Sequence, residues 1–185
     1  MGPILIVYST TDGHTRVICE RLKRIFEEHG HAVTLRHLPD CGQAEVDASG
    51  AILIGASIRY GKHKPEVAAF IGRHQAALES RPSALFSVNV VARKPEKNRP
   101  ETNPYLRKFL RTIAWKPPLV TVFAGRLDYP SLRPMDRTMI RFIMWMTKGP
   151  TDPTGVFEFT DWARVDAFGE EFACQLAAPA LRSAA

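Results

Sequence analysis

Ile4-Leu5-Ile6-Val7-Tyr8-Ser9-Thr10-Thr11-Asp12-Gly13-His14-Thr15-Arg16 is the stretch that decides how this chain folds. Residues 4–8 form an apolar run of strand length, residues 9–15 a hydroxyl-rich turn, and an amphipathic helical pattern begins near His14. A strand feeding a polar turn and then a helix builds an anion site, because the first-turn N–H groups are free and the helix dipole favours negative charge. The hydroxyls of Ser9, Thr10, Thr11 and Thr15, together with Asp12 and the flexible Gly13, point to a phosphate. The turn has no Gly-Lys-Ser/Thr ending and no Gly-x-Gly-x-x-Gly, which disfavours a nucleoside triphosphate and a dinucleotide. A phosphate monoester bound without a lysine suits it better. The plain alternative is an ordinary strand-to-helix connection in which Ser9 or Asp12 caps the helix.

Outward from this turn, residues 14–29 carry Val17, Ile18, Leu22, Ile25 and Phe26 at helical spacing, and Gly30 ends the pattern. Residues 31–38 read as a second strand, 39–50 as a polar loop, and 51–55 as a third, buried strand. A helix is expected over about 65–78, a fourth strand over 83–90, a fifth over 119–124 and a last helix over about 161–177. Near-continuous apolar strands alternating with amphipathic helices specify a parallel sheet covered on both faces. The expectation is one doubly wound, five-stranded α/β domain over 1–185. With strand order 2-1-3-4-5, the ends of strands 1, 3 and 4 fall side by side, where such sheets bind ligands. Those ends carry the opening turn, then Ser57, Ile58, Arg59, Tyr60 and Gly61, then Ser87, Val88, Asn89 and Val90. Tyr60 would stack on a planar ring, and backbone groups near Asn89 would meet the ring's polar edge.

Apolar residues make up 45% and charged residues 24%, the balance of a folded globular protein. Cys19, Cys41 and Cys174 are widely spaced, so neither a disulfide framework nor a metal site is indicated, and a reducing cytoplasm is expected. No leader pattern is visible and no apolar run approaches the ~20 residues of a membrane span. The net charge of +6 is uneven: residues 91–150 hold thirteen basic side chains against four acidic ones. That segment calls for an anionic partner. Its first part, residues 92–103, is a Pro-rich basic loop inserted after strand 4, ahead of a crossover helix expected over 104–115. A second stretch, about 133–148, sets Arg133, Arg137, Arg141 and Lys148 against Met135, Met139, Ile140, Phe142, Ile143, Met144, Trp145 and Met146. This is the pattern of a basic amphipathic helix on a membrane surface, or of a core helix with a solvated arginine face.

Tyr8-Ser9-Thr10-Thr11-Asp12-Gly13-His14-Thr15 resembles the phosphate loop of the flavodoxin-like proteins. Further segments resemble, within that group, the quinone-dependent protoporphyrinogen oxidase family of bacterial haem synthesis. They are Ile54-Gly55-Ala56-Ser57-Ile58-Arg59-Tyr60-Gly61, Ser87-Val88-Asn89-Val90-Val91-Ala92-Arg93-Lys94, Thr102-Asn103-Pro104-Tyr105 and Ala124-Gly125-Arg126-Leu127-Asp128-Tyr129-Pro130. Asp136-Arg137 and Thr160-Asp161-Trp162 extend the match over nearly the whole chain. The resemblance implies FMN, with its phosphate at residues 10–14 and its ring bordered by residues 57–61 and 87–90. It implies protoporphyrinogen IX as substrate and menaquinone or ubiquinone as acceptor. It also implies peripheral attachment to an anionic membrane surface, at the cytoplasmic face of the inner membrane. Arg59, Arg93, Lys94 and Arg126 are the candidates to pair with the substrate's propionates. His14 departs from the family pattern, where a smaller polar residue is expected. No general base is evident, and a homo-oligomer is left open.

Three rival readings follow. A flavodoxin-type electron carrier is disfavoured by the positive charge, and another small FMN-dependent quinone reductase is not separated by sequence. A nucleic-acid or membrane-surface module with a vestigial flavin site is disfavoured by the intact hydroxyl loop, and no nucleic-acid motif is present.

Overall fold

A computed structural model describes residues 2–177. In chain order the elements are β1 (Ile4–Ser9), α1 (His14–Glu28), β2 (Val33–His37), α2 (Gln43–Ala48), β3 (Ala51–Arg59), β4 (Lys62–His63), α3 (Pro65–Arg73), α4 (Gln75–Ser80), β5 (Ser83–Val88), α5 (Pro104–Leu110), β6 (Leu119–Phe123), β7 (Arg126–Asp128), α6 (Pro134–Met146), β8 (Val156–Glu158) and α7 (Trp162–Ala177). The central sheet has the order β2-β1-β3-β5-β6, which is the expected 2-1-3-4-5 once the short β4 is set aside. Its five strands are parallel, and β4 folds back antiparallel on β3.

Alternation along each strand divides the core in two. Ile4, Ile6 and Tyr8 of β1 face α1 and α7, where Leu22, Phe26, Phe168 and Phe172 pack. Leu5 and Val7 face the opposite layer, with Val67, Phe70, Ile71 and Trp115. Gly55 sits opposite Phe86 in the ladder, and a Cβ there would lie 2.4 Å from Phe86 Cζ. The phenyl ring occupies the space a side chain would need. The register sets Ser9 beside Ala56 and Ala56 beside Ser87, so the strand ends are level. This levelling brings the expected site loops together.

Several boundaries differ from the expectation. Residues 39–50 are not a plain loop: Gly42 N–H donates to Glu45 Oε2 at 2.7 Å, and Val46 buries itself from the one-and-a-half-turn helix α2. The helix expected over 65–78 breaks at His74, whose ring packs on Phe70, into α3 and α4. The crossover helix stops at Leu110 rather than 115, and Ile113 and Trp115 beyond it turn into the core. β3 runs four residues past Gly55, and β5 ends at Val88 rather than 90. The inserted loop over 92–103 contains a short 3₁₀ turn, Pro95–Lys97. A second excursion, β7-α6-β8, leaves after β6; its two strands pair antiparallel, with Leu127 opposite Phe157. Leu127, Tyr129, Leu132 and Met144 form its small core.

Candidate functional site

The ends of β1, β3, β5 and β6 surround an open cleft. Thr10, Asp12, His14, Thr15, Ser57, Ile58, Val88, Asn89, Val90, Gly125 and Arg126 line it. Three of these four segments match the sequence expectation. The fourth, Gly125 with Arg126, is reached because β6 ends level with β5, where Asn89 N–H donates to Phe123 O. The sequence marked it through the family-like run Ala124 to Pro130 and through Arg126 as a propionate candidate, not as a wall of this cleft.

The turn after β1 directs polar groups toward the cleft. Gly13 has φ +80°, and nothing lies within 4 Å of where its Cβ would be, so glycine serves the backbone conformation rather than clearance. Helix α1 starts directly after it and leaves its first N–H groups without intrahelical partners. Thr15 Oγ1 is buried and has no hydrogen-bond partner among the described residues. Such a group costs about 1–3 kcal/mol when left unpaired, a cost a bound ligand oxygen would remove. Lys64 Nζ holds the turn from outside by donating to Thr10 O at 2.9 Å. Ser9 does not line the cleft, since its hydroxyl is buried and donates to Glu66 Oε1 at 2.9 Å. Thr11 is exposed at the tip of the turn.

His14 is buried at the start of α1, its Nε2 2.6 Å from Thr160 Oγ1. Because the Thr160 hydroxyl donates to Ala124 O, the imidazole acts as donor in this contact. Burial pushes its pKa below the usual histidine value, with Arg126 adding to the shift and Glu158 opposing it. A neutral ring at a helix N-terminus avoids the dipole penalty of a cation there.

The second loop is a two-residue hairpin between β3 and β4. Tyr60 at φ +49° and Gly61 at φ +75° form a type I′ turn between the paired Arg59 and Lys62. Tyr60 is 66% exposed, while its hydroxyl donates to Asp136 Oδ1. Arg59 reaches Asp12 Oδ1 at 3.0 Å through Nη1 and Asp136 Oδ2 at 2.5 Å through Nη2. One guanidinium thus ties the β1 turn to helix α6. Gly61 lies over Tyr105, 3.1 Å from the position its Cβ would take.

At the third loop the polar side chains turn inward. Ser87 Oγ lies 2.9 Å from His63 Nε2, and the imidazole packs on Phe109. Burial lowers the His63 pKa to about 4. Asn89 Oδ1 accepts from Ala92 N–H at 3.0 Å and from Asn103 Nδ2 at 3.2 Å, which closes the base of the inserted loop.

The four cations picked from sequence occupy different situations. Arg93 Nη2 donates to Thr147 Oγ1 at 2.8 Å and Nη1 to Val90 O, so its guanidinium is spent on holding α6. Arg59 is spent on Asp12 and Asp136. Arg126 lines the cleft, with Asp128 2.7 Å from its Nη2. Lys94 is half-buried, without an ion pair among the described residues.

A twisted parallel sheet with a phosphate-type turn at its switch point defines the class, and comparison supplies the family. Residues 5–154 match the flavodoxin domain family, to which the chain belongs. It is 41% identical over 178 residues to a protoporphyrinogen IX dehydrogenase [quinone] of Escherichia coli K12, covering 96% of this chain and 98% of that one. A protein of the same name from Leishmania major is 42% identical over 170 residues, covering 91% of this chain and 74% of that one. Among solved structures, an archaeal flavodoxin superposes with a TM-score of 0.54 at 17% identity, covering 95% of this chain and 99% of that one. Megasphaera elsdenii flavodoxin gives 0.54 at 14%, covering 92% and 98%. These last two show likeness of fold. A flavodoxin domain carries a flavin, and the unpartnered Thr15 hydroxyl beneath an open turn fits that cofactor's phosphate end.

Proposed function

We propose that the chain is an FMN-dependent oxidoreductase that converts protoporphyrinogen IX to protoporphyrin IX with a respiratory quinone, menaquinone or ubiquinone, as acceptor. The observation that carries this reading is the end-to-end match at 41% identity to a relative of that name. It takes in the inserted basic loop and the β7-α6-β8 excursion, both beyond a minimal flavodoxin sheet.

FMN would supply a two-electron acceptor that a quinone empties again. Thr15, Thr10 and the first-turn N–H groups of α1 hold its phosphate, and Asp12 is kept in place by Arg59. Ser57, Ile58, Arg59, Tyr60 and Gly61 border one side of the ring, and Val88, Asn89 and Val90 the other. Ser9 and Ser87 support these loops from behind through Glu66 and His63. Arg126 and Lys94 bind the substrate's propionates: Arg126 lines the cleft with its guanidinium part-exposed beside Asp128, Lys94 has no ion pair among the described residues, and Arg59 and Arg93 fasten α6. Aromatisation of protoporphyrinogen IX removes six electrons and six protons, so each substrate reduces three quinones. A lipid-soluble acceptor and a positive segment suit peripheral attachment to the anionic cytoplasmic face of the inner membrane. Among the described residues no helix is long and apolar enough to cross a membrane.

The test is to reconstitute the purified protein with FMN and record porphyrin fluorescence with and without a quinone. The Arg126→Ala, Lys94→Ala double variant is expected to raise KM for the porphyrinogen at least tenfold, the loss of one charge-assisted hydrogen bond or more. It should leave FMN content unchanged. An unchanged KM contradicts the propionate assignment.

A further inference from the structure

Nine large apolar side chains are exposed among the described residues, and six of them lie on α6. They are Met135, Met139, Phe142, Ile143, Trp145 and Met146, with Met135 at 86% exposure and Trp145 at 70%. The side of the helix that meets the protein is a narrow stripe: Asp136, Ile140 and Met144, four residues apart. The helix is therefore turned so that most of its apolar surface faces away from the core. Both ends are fastened to loops that border the cleft. Asp136 accepts from Arg59 and Tyr60 at the first turn, and Thr147 accepts from Arg93 just past the last. α6 is a strap between the β3 and β5 loops.

Charge decides what covers this face. Arg137, Arg141 and Lys148 lie along one flank of the apolar stripe and Arg133 precedes the first turn; Arg137 and Arg141 donate to the Tyr129 and Thr151 carbonyls, but no acid among the described residues pairs with any of the four, so their charge stays unneutralised. The one acid of the helix, Asp136, points inward. A second copy of the chain docked face to face would bring like charges together. Lipid phosphates would complement them, and an apolar stripe bordered by Arg and Lys with a Trp beside it is the composition of a helix lying in a bilayer interface.

We propose that α6 docks the protein on an anionic lipid bilayer, the Met135–Met146 face entering the interface and the fastened ends holding the rim of the cleft at the lipid. The proposal rests on the quinone-dependent reading for its purpose, because the acceptor is delivered where it dissolves. Binding itself is carried by α6 alone.

The experiment uses the full chain with FMN, mixed with vesicles of phosphatidylcholine or of phosphatidylcholine with phosphatidylglycerol, and follows co-sedimentation and tryptophan emission. Trp115 is buried and Trp162 half-buried, so the part of a blue shift that is lost in the variant lacking Trp145 reports that residue. Wild type is expected to bind the phosphatidylglycerol vesicles, more weakly at high salt, with a blue shift. The Phe142→Ser, Trp145→Ser double variant is expected to partition about tenfold less or worse. It should keep its FMN content and its turnover with a water-soluble quinone analogue. Equal partitioning of the double variant, equal binding to pure phosphatidylcholine, or a concentration-dependent dimer that the double variant abolishes would each overturn the proposal. Vesicle binding without porphyrin formation would contradict the proposed reaction and leave the docking helix standing.

Discussion

Thr15 makes two opposite predictions for one substitution. Thr15→Val removes a buried hydroxyl that has no partner among the described residues, so the melting temperature of the flavin-free protein should hold or rise. FMN affinity should fall about tenfold to a hundredfold, the loss of a hydrogen bond to a charged phosphate. Fluorescence titration and thermal denaturation read the two effects separately; unchanged affinity would remove the hydroxyl from the phosphate site. His63 carries the pH prediction. Its pKa falls from 6.5 to about 4 on folding, so the unfolded chain binds the extra proton between those values. Stability is therefore full above pH 6.5, declines as pH falls towards 4, and loses about 3 kcal/mol from this group. His63→Gln should flatten that decline in a series of urea melts. At this scale the sequence was least legible. Ser9 and Ser87 are hydroxyls at strand ends, as the site requires, yet they face Glu66 and His63. Alternation along a strand sets the side on which a residue emerges, and residue type does not reveal it.

Among the elements, α6 was readable as a basic amphipathic helix, but the side it buries was not. The contacts that fasten its ends come from Arg59, Tyr60 and Arg93, more than fifty residues away in sequence, and no local pattern encodes them. Asp136→Ala should free the first turn of α6 from the β3 hairpin. Amide hydrogen exchange should then quicken across α6 and residues 59–62 while the amides of β1 keep their protection. Unchanged exchange in α6 would show that the Met144 core alone holds it. Helix α2 escaped the sequence reading because its six residues hold only one buried apolar position, Val46, too little to show a period. Gly55, by contrast, has an unambiguous demand. Gly55→Ala drives a methyl group against Phe86 and should cost about 1–3 kcal/mol in a denaturant melt, as overpacked core sites do.

For the molecule as a whole, the order of the five central strands was legible. β1, β3 and β5 are apolar runs buried from both sides, β2 and β6 are half-buried edge strands, and the connections between them leave few topologies. The β7-β8 ribbon was not, because three-residue strands far apart in sequence carry no periodicity of their own. The cleft followed from the fold, since its four walls are strand ends that the sheet order makes neighbours. The chemistry performed in it draws on the relatives and on the cations near its mouth. Its most direct test is porphyrin fluorescence from protoporphyrinogen IX under anaerobic conditions, with the FMN-loaded protein and a quinone analogue. The account predicts fluorescence that rises with added quinone, in the ratio of three quinones consumed per porphyrin. FMN-loaded protein that forms no porphyrin with either a menaquinone or a ubiquinone analogue would contradict it.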